Sequence, residues 1–183
     1  MKLVAIVGMT GAGKSEISRF FERAGFLRIR FGDITDEEVR KRGLELNEEN
    51  ERHVREELRQ AHGMAAYAIL NLSRIELGFK QQDVVIDGLY SWEEYMMLKN
   101  YFGEKLLTLA IWSSPRTRYA RLAGRDVRPL TTEEAASRDK SEVEKLHKAG
   151  PIAMADFTIF NETSLKDLAK ETRKVIATIR KRA

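Results

Sequence analysis

The sequence predicts an α/β fold in which a five-stranded parallel sheet lies between two layers of helices. Short apolar runs such as 3–7 and 106–112 lack polar alternation, which is typical of strands buried on both faces. Longer stretches with helical spacing separate these runs, and strands that alternate with helices form parallel sheets. The length of 183 residues favours a single domain, and there is no internal repeat or linker.

Capping signals set the order of the elements. Asn47 and Ser91 are suited to cap helices, as is Thr35 or Asp36, and Ser114 precedes a proline that suits a first helical residue. The predicted strands cover 3–7, 27–31, 84–87, 106–112 and 155–160. The predicted helices cover 14–23, 36–42, 47–78, 91–102, 115–125, 132–148 and 165–183. Gly63 lies in the middle of the third helix, which it could kink or split.

The composition allows a packed core and a heavily charged surface. Hydrophobic residues make up 43% and charged residues 33%, which argues against disorder. The net charge of +4 suits a protein that handles phosphates but does not require a nucleic-acid partner. The chain has no cysteine, which excludes disulfides and thiolate chemistry, and no apolar stretch near the roughly 20 residues of a membrane span. We expect a soluble, cytoplasmic protein without a membrane partner, and the oligomeric state stays open.

A phosphate-binding motif follows the first strand. The stretch fits G-x-x-x-x-G-K-[ST] and consists of Gly8, Met9, Thr10, Gly11, Ala12, Gly13, Lys14 and Ser15. Glycines let successive backbone N–H groups turn toward phosphate oxygens, and the following helix adds its positive dipole end. Lys14 is expected to reach the β- and γ-phosphates, and the Ser15 hydroxyl to ligate Mg²⁺. The motif therefore predicts that the chain binds a nucleoside triphosphate with Mg²⁺, with ATP expected and GTP not excluded.

Two aspartates follow predicted strands. Asp87 ends the run VVID, and the carboxyl end of a parallel strand faces the crevice where ligands bind. We interpret Asp87 as a ligand of Mg²⁺ or of a Mg²⁺-bound water; the alternative is a carboxylate that caps a turn. Asp33 could position or deprotonate a hydroxyl acceptor, or it could be a loop carboxylate next to the following helix.

Arginines recur at helical spacing after the fourth strand. Arg118, Arg121, Arg125 and Arg128 are three, four and three residues apart, which places them on one face of a helix. Like charges stacked this closely repel, so an anionic partner such as a transferring phosphoryl group would compensate them. The alternative is a solvated basic face that Asp126, Glu133 or Glu134 screens.

These motifs resemble the nucleoside-monophosphate-kinase-like P-loop kinases over nearly the whole chain. Within that group the sequence is similar to a family of predicted kinases related to dephospho-CoA kinase and adenylate kinase. The resembling segments are IRFGD at 29–33, VVIDG at 84–88, IWSSPRTRYARLAGRD at 111–126 and ADFTIFNETSLKDL at 155–168. The resemblance implies that Arg121 and Arg125 lie in a lid over the triphosphate, and that Asn161 lies in the loop on the adenine side.

The resemblance also implies how the single domain is divided. We expect 33–82 to form a helical insertion on the acceptor side and 115–150 to form an arginine-bearing lid. Adenylate kinases carry acceptor-binding arginines at the places of Asp36 and Ser91, so this chain departs from them unless Arg40 or Arg42 substitutes. A standard monophosphate acceptor is therefore in question.

The functional hypothesis is γ-phosphoryl transfer from ATP-Mg²⁺ to a small nucleotide-like or coenzyme-like acceptor. Lys14, Asp33, Arg121 and Arg125 are the expected catalytic residues. Two alternatives stay open. One is an ATP-binding regulatory protein or slow NTPase without a small-molecule acceptor. The other is a nucleic-acid-associated NTPase that would use the basic last helix, 165–183.

Overall fold

A computed structural model describes residues 1–126 and 129–182 of the chain. Its strands are β1 Leu3–Val7, β2 Leu27–Arg30, β3 Val84–Asp87, β4 Leu106–Trp112 and β5 Phe157–Phe160. Its helices are α1 Lys14–Arg23, α2 Asp33–Lys41, α3 Glu48–His62, α4 Ala66–Phe79, α5 Trp92–Phe102, α6 Pro115–Ala123, α7 Thr132–Glu144, α8 Ala149–Ala153 and α9 Leu165–Lys181. A short 3₁₀ turn, Gly103–Lys105, leads into β4.

The sheet has the order β2-β3-β1-β4-β5, and every neighbouring pair is parallel. The predicted five-stranded parallel sheet between helices is confirmed. Because β1 lies at the centre, the loop that follows it emerges in the middle of the edge formed by the carboxyl ends of the strands. This is the edge at which open α/β sheets bind ligands.

The core has two halves, one on each face of the sheet. Leu3, Ala5 and Val7 of β1 belong to the half that also contains Ile75 of α4 and Leu98 of α5. Val4 and Ile6 face the other half, which is completed by α1 and α9 through Ile17, Phe21, Leu168 and Ile176. All five residues of β1 are fully buried, which explains why its sequence is a continuous apolar run.

Several element ends differ from the prediction. The expected 47–78 helix consists of α3 and α4, which separate where Gly63 adopts a φ of 74°. The 132–148 helix ends at Glu144, and the short helix α8 follows it. Helix α6 ends at Ala123, before Arg125, so Arg125 does not continue its face.

None of the helices in the described part of the chain combines the length and apolar character that a membrane span requires.

Candidate functional site: a phosphate-binding loop and the charged groups around it

The loop from Gly8 to Ser15 joins β1 to α1. Gly8, Gly11 and Gly13 have φ values of 146°, 83° and 103°, in the region that side chains with a Cβ rarely adopt. A Cβ on Gly8 would also lie 2.5 Å from the carbonyl oxygen of Ile111. The loop therefore needs its glycines, and Gly13 leads directly into the N-terminus of α1. This backbone arrangement is typical of phosphate-binding loops.

Asn161, just after β5, binds the loop from the side. Its Nδ2 donates to the carbonyl oxygen of Ala12 at 2.8 Å, and its backbone N–H donates to the carbonyl oxygen of Trp112 at 2.8 Å. A Cβ on Gly13 would lie 2.4 Å from Nδ2 of Asn161. The buried asparagine thus packs directly on the loop, and it needs a glycine opposite it.

Lys14 extends back along the loop. Its Nζ donates to the carbonyl oxygens of Gly8 and Met9 at 2.9 and 3.0 Å. Burial, and next the positive charge of Lys148, lower the pKa of Lys14 to about 7, although Glu142 and Asp87 partly oppose this shift. Lys14 is therefore a buried ammonium, and both cations and carboxylates act on its charge.

A buried ion pair, which the sequence analysis did not identify, contacts the same loop. Glu142 of α7 accepts from the backbone N–H of Thr10 at 3.2 Å and from the Thr10 hydroxyl, and Nζ of Lys148 lies 2.9 Å from its Oε2. Burial alone would raise the pKa of Glu142, but the charges of Lys148 and Lys14 and the Thr10 hydroxyl lower it to about 2. Arg138 adds a further cation, with its Nε 3.6 Å from Oε1 of Glu142.

The predicted magnesium ligands, Ser15 and Asp87, have different environments. Ser15 is exposed in the first turn of α1. Asp87 is buried at the end of β3, where its Oδ2 accepts from Ser18 Oγ at 2.9 Å and from Arg28 Nε and Nη2 at 3.1 and 2.5 Å. These side-chain donors all bind Oδ2, which leaves Oδ1 as the oxygen that a cation or its water could approach. Hydroxyl and carboxylate oxygens are donors that suit Mg²⁺.

No independent metal centre is present among residues 1–126 and 129–182, where Asp, Glu and His side chains do not gather in groups of three. A cation at this site would therefore take further ligands from phosphate oxygens and water, as Mg²⁺ does in kinase and ATPase sites.

Arg118, Arg121 and Arg125 do not form one basic face. Arg118 is buried and paired with Asp139 through Nη1 and Nη2 at 2.7 and 2.6 Å, and its Nη1 also donates to the carbonyl oxygen of Thr10. Asp139 is the partner, rather than any of the three acidic residues considered from the sequence. Arg118 therefore connects helices α6 and α7 to the loop and is not available to an anion.

The other arginines of the series have separate environments. Arg121 donates through Nη1 to Ser113 Oγ at 3.1 Å and through Nη2 to the carbonyl oxygen of Asn161 at 2.9 Å, so the two expected adenine-side and lid residues are in contact. Arg125 is exposed beyond the end of α6. Partial burial of its guanidinium, and next the charge of Arg138, lower its pKa. Arg128 lies outside the residues that the structure describes.

Asp33 is the first residue of α2, not a loop residue ahead of a helix that begins later. Gly32 occupies the N-cap position, and the Thr35 hydroxyl hydrogen-bonds to the Tyr67 hydroxyl at 2.6 Å instead of capping the helix. Nη1 of Arg30 lies 2.8 Å from an oxygen of Asp33 and 2.8 Å from an oxygen of Asp36. Partial burial lowers the pKa of Arg30, but the hydrogen bond to Asp36 and the charges of Asp36 and Asp33 outweigh it, so the pKa of Arg30 lies above its ordinary value.

The expected replacement arginines differ in their environment. Arg42 donates to Glu38 at 2.8 Å and to Glu57, so it is paired with carboxylates of α2 and α3. Arg40 is exposed in the last turn of α2.

The five-stranded parallel sheet, its flanking helices and the phosphate-binding loop together define a P-loop kinase fold. The family model described as an AAA domain matches residues 4–147. A UPF0200 protein of Thermococcus kodakarensis is 38% identical over 178 residues, which cover 95% of this chain and 96% of the relative. A UPF0200 protein of Methanococcus maripaludis is 35% identical over 185 residues, which cover 98% of this chain and all of the relative. The chain belongs to the UPF0200 family.

Solved structures with a similar fold include small-molecule kinases. A shikimate kinase from Acinetobacter baumannii superposes with a TM-score of 0.62 at 16% identity, covering 100% of this chain and 96% of that one. A gluconokinase from Sinorhizobium meliloti gives 0.61 at 16%, with coverages of 97% and 93%. A dephospho-CoA kinase from Campylobacter jejuni gives 0.55 at 19%, with 97% of both chains covered. At these identities the likeness establishes the fold alone, and it confirms the P-loop kinase architecture that the motifs predicted.

Proposed function

We propose that the chain is an ATP-dependent phosphotransferase that moves the γ-phosphoryl group to a small nucleotide-like or coenzyme-like acceptor. The observation that carries the proposal is the loop from Gly8 to Ser15, at the centre of the parallel sheet, with three glycines at positive φ and Lys14 extended along it. Backbone amides and a helix N-terminus in this arrangement bind the phosphates of a nucleotide.

The donor side of the reaction would use groups around this loop. Lys14 would turn from the carbonyl oxygens of Gly8 and Met9 toward the β- and γ-phosphates. Arg121 and Arg125 would stabilise the charge that spreads over the transferred group. The residues 115–150 would act as the lid that excludes water, and so favour transfer over hydrolysis.

Magnesium fits the donor side, with the Ser15 hydroxyl and the Asp87 carboxylate as the residues that would hold it, Asp87 directly or through a bound water. When bound, the cation would neutralise charge on the phosphate oxygens. The contact of Arg28 with Asp87 keeps this carboxylate in place at the end of β3.

The acceptor would bind on the side of α2, α3 and α4, the helices of the 33–82 insertion. Asp33, which Arg30 holds at 2.8 Å, would accept a hydrogen bond from the acceptor hydroxyl and position or deprotonate it. Nη1 of Arg30 also contacts Asp36. The carboxylate of Asp33 is thus oriented by Arg30 but stays half exposed.

A transfer assay with γ-labelled ATP tests the proposal. The acceptor panel should include shikimate, gluconate and dephospho-CoA, which the names of the structural neighbours suggest, together with nucleosides and nucleoside monophosphates. We expect label in one acceptor, and no transfer by the Lys14→Met variant. Label that appears only in inorganic phosphate, at a rate that no acceptor changes, would contradict the proposal.

One observation favours a second candidate, an ATP-binding regulatory protein or slow NTPase. The places at which adenylate kinases carry acceptor arginines hold Asp36, paired with Arg30, and Ser91, whose hydroxyl caps α5. Under this reading nucleotide binding would persist in the assay above without transfer, and a stable protein partner would be recovered only in the presence of ATP.

A further inference from the structure

The carboxylate of Glu142 makes hydrogen bonds of the kind that a phosphate oxygen would make. It accepts from the backbone N–H and the hydroxyl of Thr10, which are donors of the loop. It also lies near Lys14, because its charge raises the pKa of that lysine more than any other carboxylate does. A γ-phosphate that Lys14 binds would meet this negative charge. The two anions would therefore compete for the same cations.

The cations around Glu142 outnumber it. Lys148 lies 2.9 Å and Arg138 3.6 Å from its oxygens, and Lys14 is the third cation nearby. Lys148 is only 1% exposed, and a buried ammonium is unfavourable unless an anion compensates it. Three cations thus share the carboxylate of Glu142, with weaker contributions from Asp87 to Lys14 and from Glu94 to Lys148. The negative charge of a phosphate would compensate these cations further.

Lys148 also reaches toward the opposite side of the site. Its Nζ lies 5.7 Å from the centre of the Tyr90 ring, and the Tyr90 ring packs edge-on against Tyr67 of α4. Tyr90 follows shortly after Asp87, and its hydroxyl lies next to Gly88. Lys148 is thus placed between the phosphate-binding loop and the helices proposed for the acceptor.

We propose that Lys148 is a second phosphate-binding lysine that contacts the γ-phosphate, and that Glu142 holds Lys148 and occupies the γ-phosphate position until the nucleotide displaces it. The inference rests on triphosphate binding at the P-loop, as the proposed function does. It adds that the third phosphate is recognised by residues of the segment between α7 and α8, whereas an ADP molecule would not reach them.

Calorimetric titration of the full chain with ADP and with ATPγS, each with Mg²⁺, tests the inference. Lys148→Met should weaken ATPγS binding by about tenfold or more and leave ADP binding within about twofold, since a charge-assisted bond to the third phosphate is lost. Glu142→Gln should strengthen ATPγS binding several-fold relative to ADP, because it removes the competing charge. Lys145→Met, which removes an exposed lysine of the same segment, is the matched control and should change neither.

Two results would overturn the inference, one for each variant. Equal losses of ADP and ATPγS affinity in Lys148→Met would indicate that the pair only supports the loop, and would overturn the inference. If Lys148→Met does not fold, two other variants replace it. Lys148→Arg should retain the preference for ATPγS over ADP, and Glu142→Gln should increase this preference. A preference that is unchanged in Glu142→Gln would again overturn the inference. These titrations need no acceptor, so they test the inference separately from the proposed function. A chain without transferase activity can still show the predicted change in ATPγS affinity, and an active kinase can fail to show it.

Discussion

Replacing the buried carboxyl of Glu94 should change how stability depends on pH. Glu94 is fully buried in the first turn of α5, where its Oε2 accepts from the backbone N–H groups of Tyr90 and Ser91 at 2.7 and 3.3 Å. Its Oε1 is buried without a hydrogen-bond partner among the described residues. Burial raises the pKa of Glu94 from 4.5 to about 7, against the opposing effects of the two backbone hydrogen bonds and of Arg59 and Lys148.

The sign and size of the effect follow from this pKa. The folded chain holds the proton of Glu94 more tightly than the unfolded chain, so the unfolded state loses that proton first as the pH rises. The carboxyl therefore lowers the free energy of unfolding progressively between pH 4.5 and about 7. At one pKa unit per 1.4 kcal/mol, the total cost is roughly 3 kcal/mol above pH 7.

Glu94→Gln keeps an oxygen that can accept from Tyr90 and Ser91 and removes the titration. We expect the variant to be less stable than, or equal to, the wild type near pH 5, and more stable by about 1–3 kcal/mol near pH 8. Urea unfolding followed by circular dichroism at pH steps from 5 to 8 measures this difference. Glu104→Gln, whose side chain is 98% exposed, is the control and should shift the curve little at any pH. A Glu94→Gln difference that is the same at every pH would show that Glu94 does not titrate between pH 5 and 8.

Three further substitutions separate structural from chemical roles. Gly13→Ala places a Cβ 2.4 Å from Nδ2 of Asn161. Gly25 has a similar φ but open space around it, so Gly13→Ala should lower the stability in thermal unfolding at least twice as much as Gly25→Ala. Equal losses of stability would show that the clash at Gly13 is relieved. Arg118→Met leaves the carboxylate of Asp139 without its cation, with only the Tyr119 hydroxyl as a donor, and should cost about 3 kcal/mol in urea unfolding. A cost below about 1 kcal/mol would contradict the buried pair. Arg121→Ala should reduce turnover roughly a thousandfold in the transfer assay, with unchanged turnover excluding its proposed role.

The parts of the fold and site that the sequence predicted are those that depend on local backbone chemistry. The glycines at 8, 11 and 13 are required by positive φ values within one loop, and the continuous apolar run of β1 reflects burial on both faces. Such requirements produce residue patterns with a fixed, short spacing in the sequence. The sheet, its parallel strands and the position of the loop could therefore be read without a structure.

The parts that the sequence did not predict depend on pairs of distant side chains. Arg118 pairs with Asp139, and Glu142 contacts Thr10 from 132 positions away. Neither pair has a spacing that a pattern could reveal. Arg118 was grouped with the neighbouring arginines because three- and four-residue spacing is visible, whereas the carboxylate that neutralises it lies on another helix.

The ion pairs of the acceptor side limit what the acceptor can be. Arg30 is paired with two aspartates and Arg42 with two glutamates, so these guanidinium groups of the acceptor side are already compensated. A monophosphate could bind them only by displacing carboxylates, which would then face its own negative charge. A hydroxyl acceptor whose reacting end carries no phosphate meets no such penalty near Asp33. Acceptors of that kind should therefore be phosphorylated faster than nucleoside monophosphates, and a screen in which the monophosphates are the better substrates would show that these ion pairs open on binding.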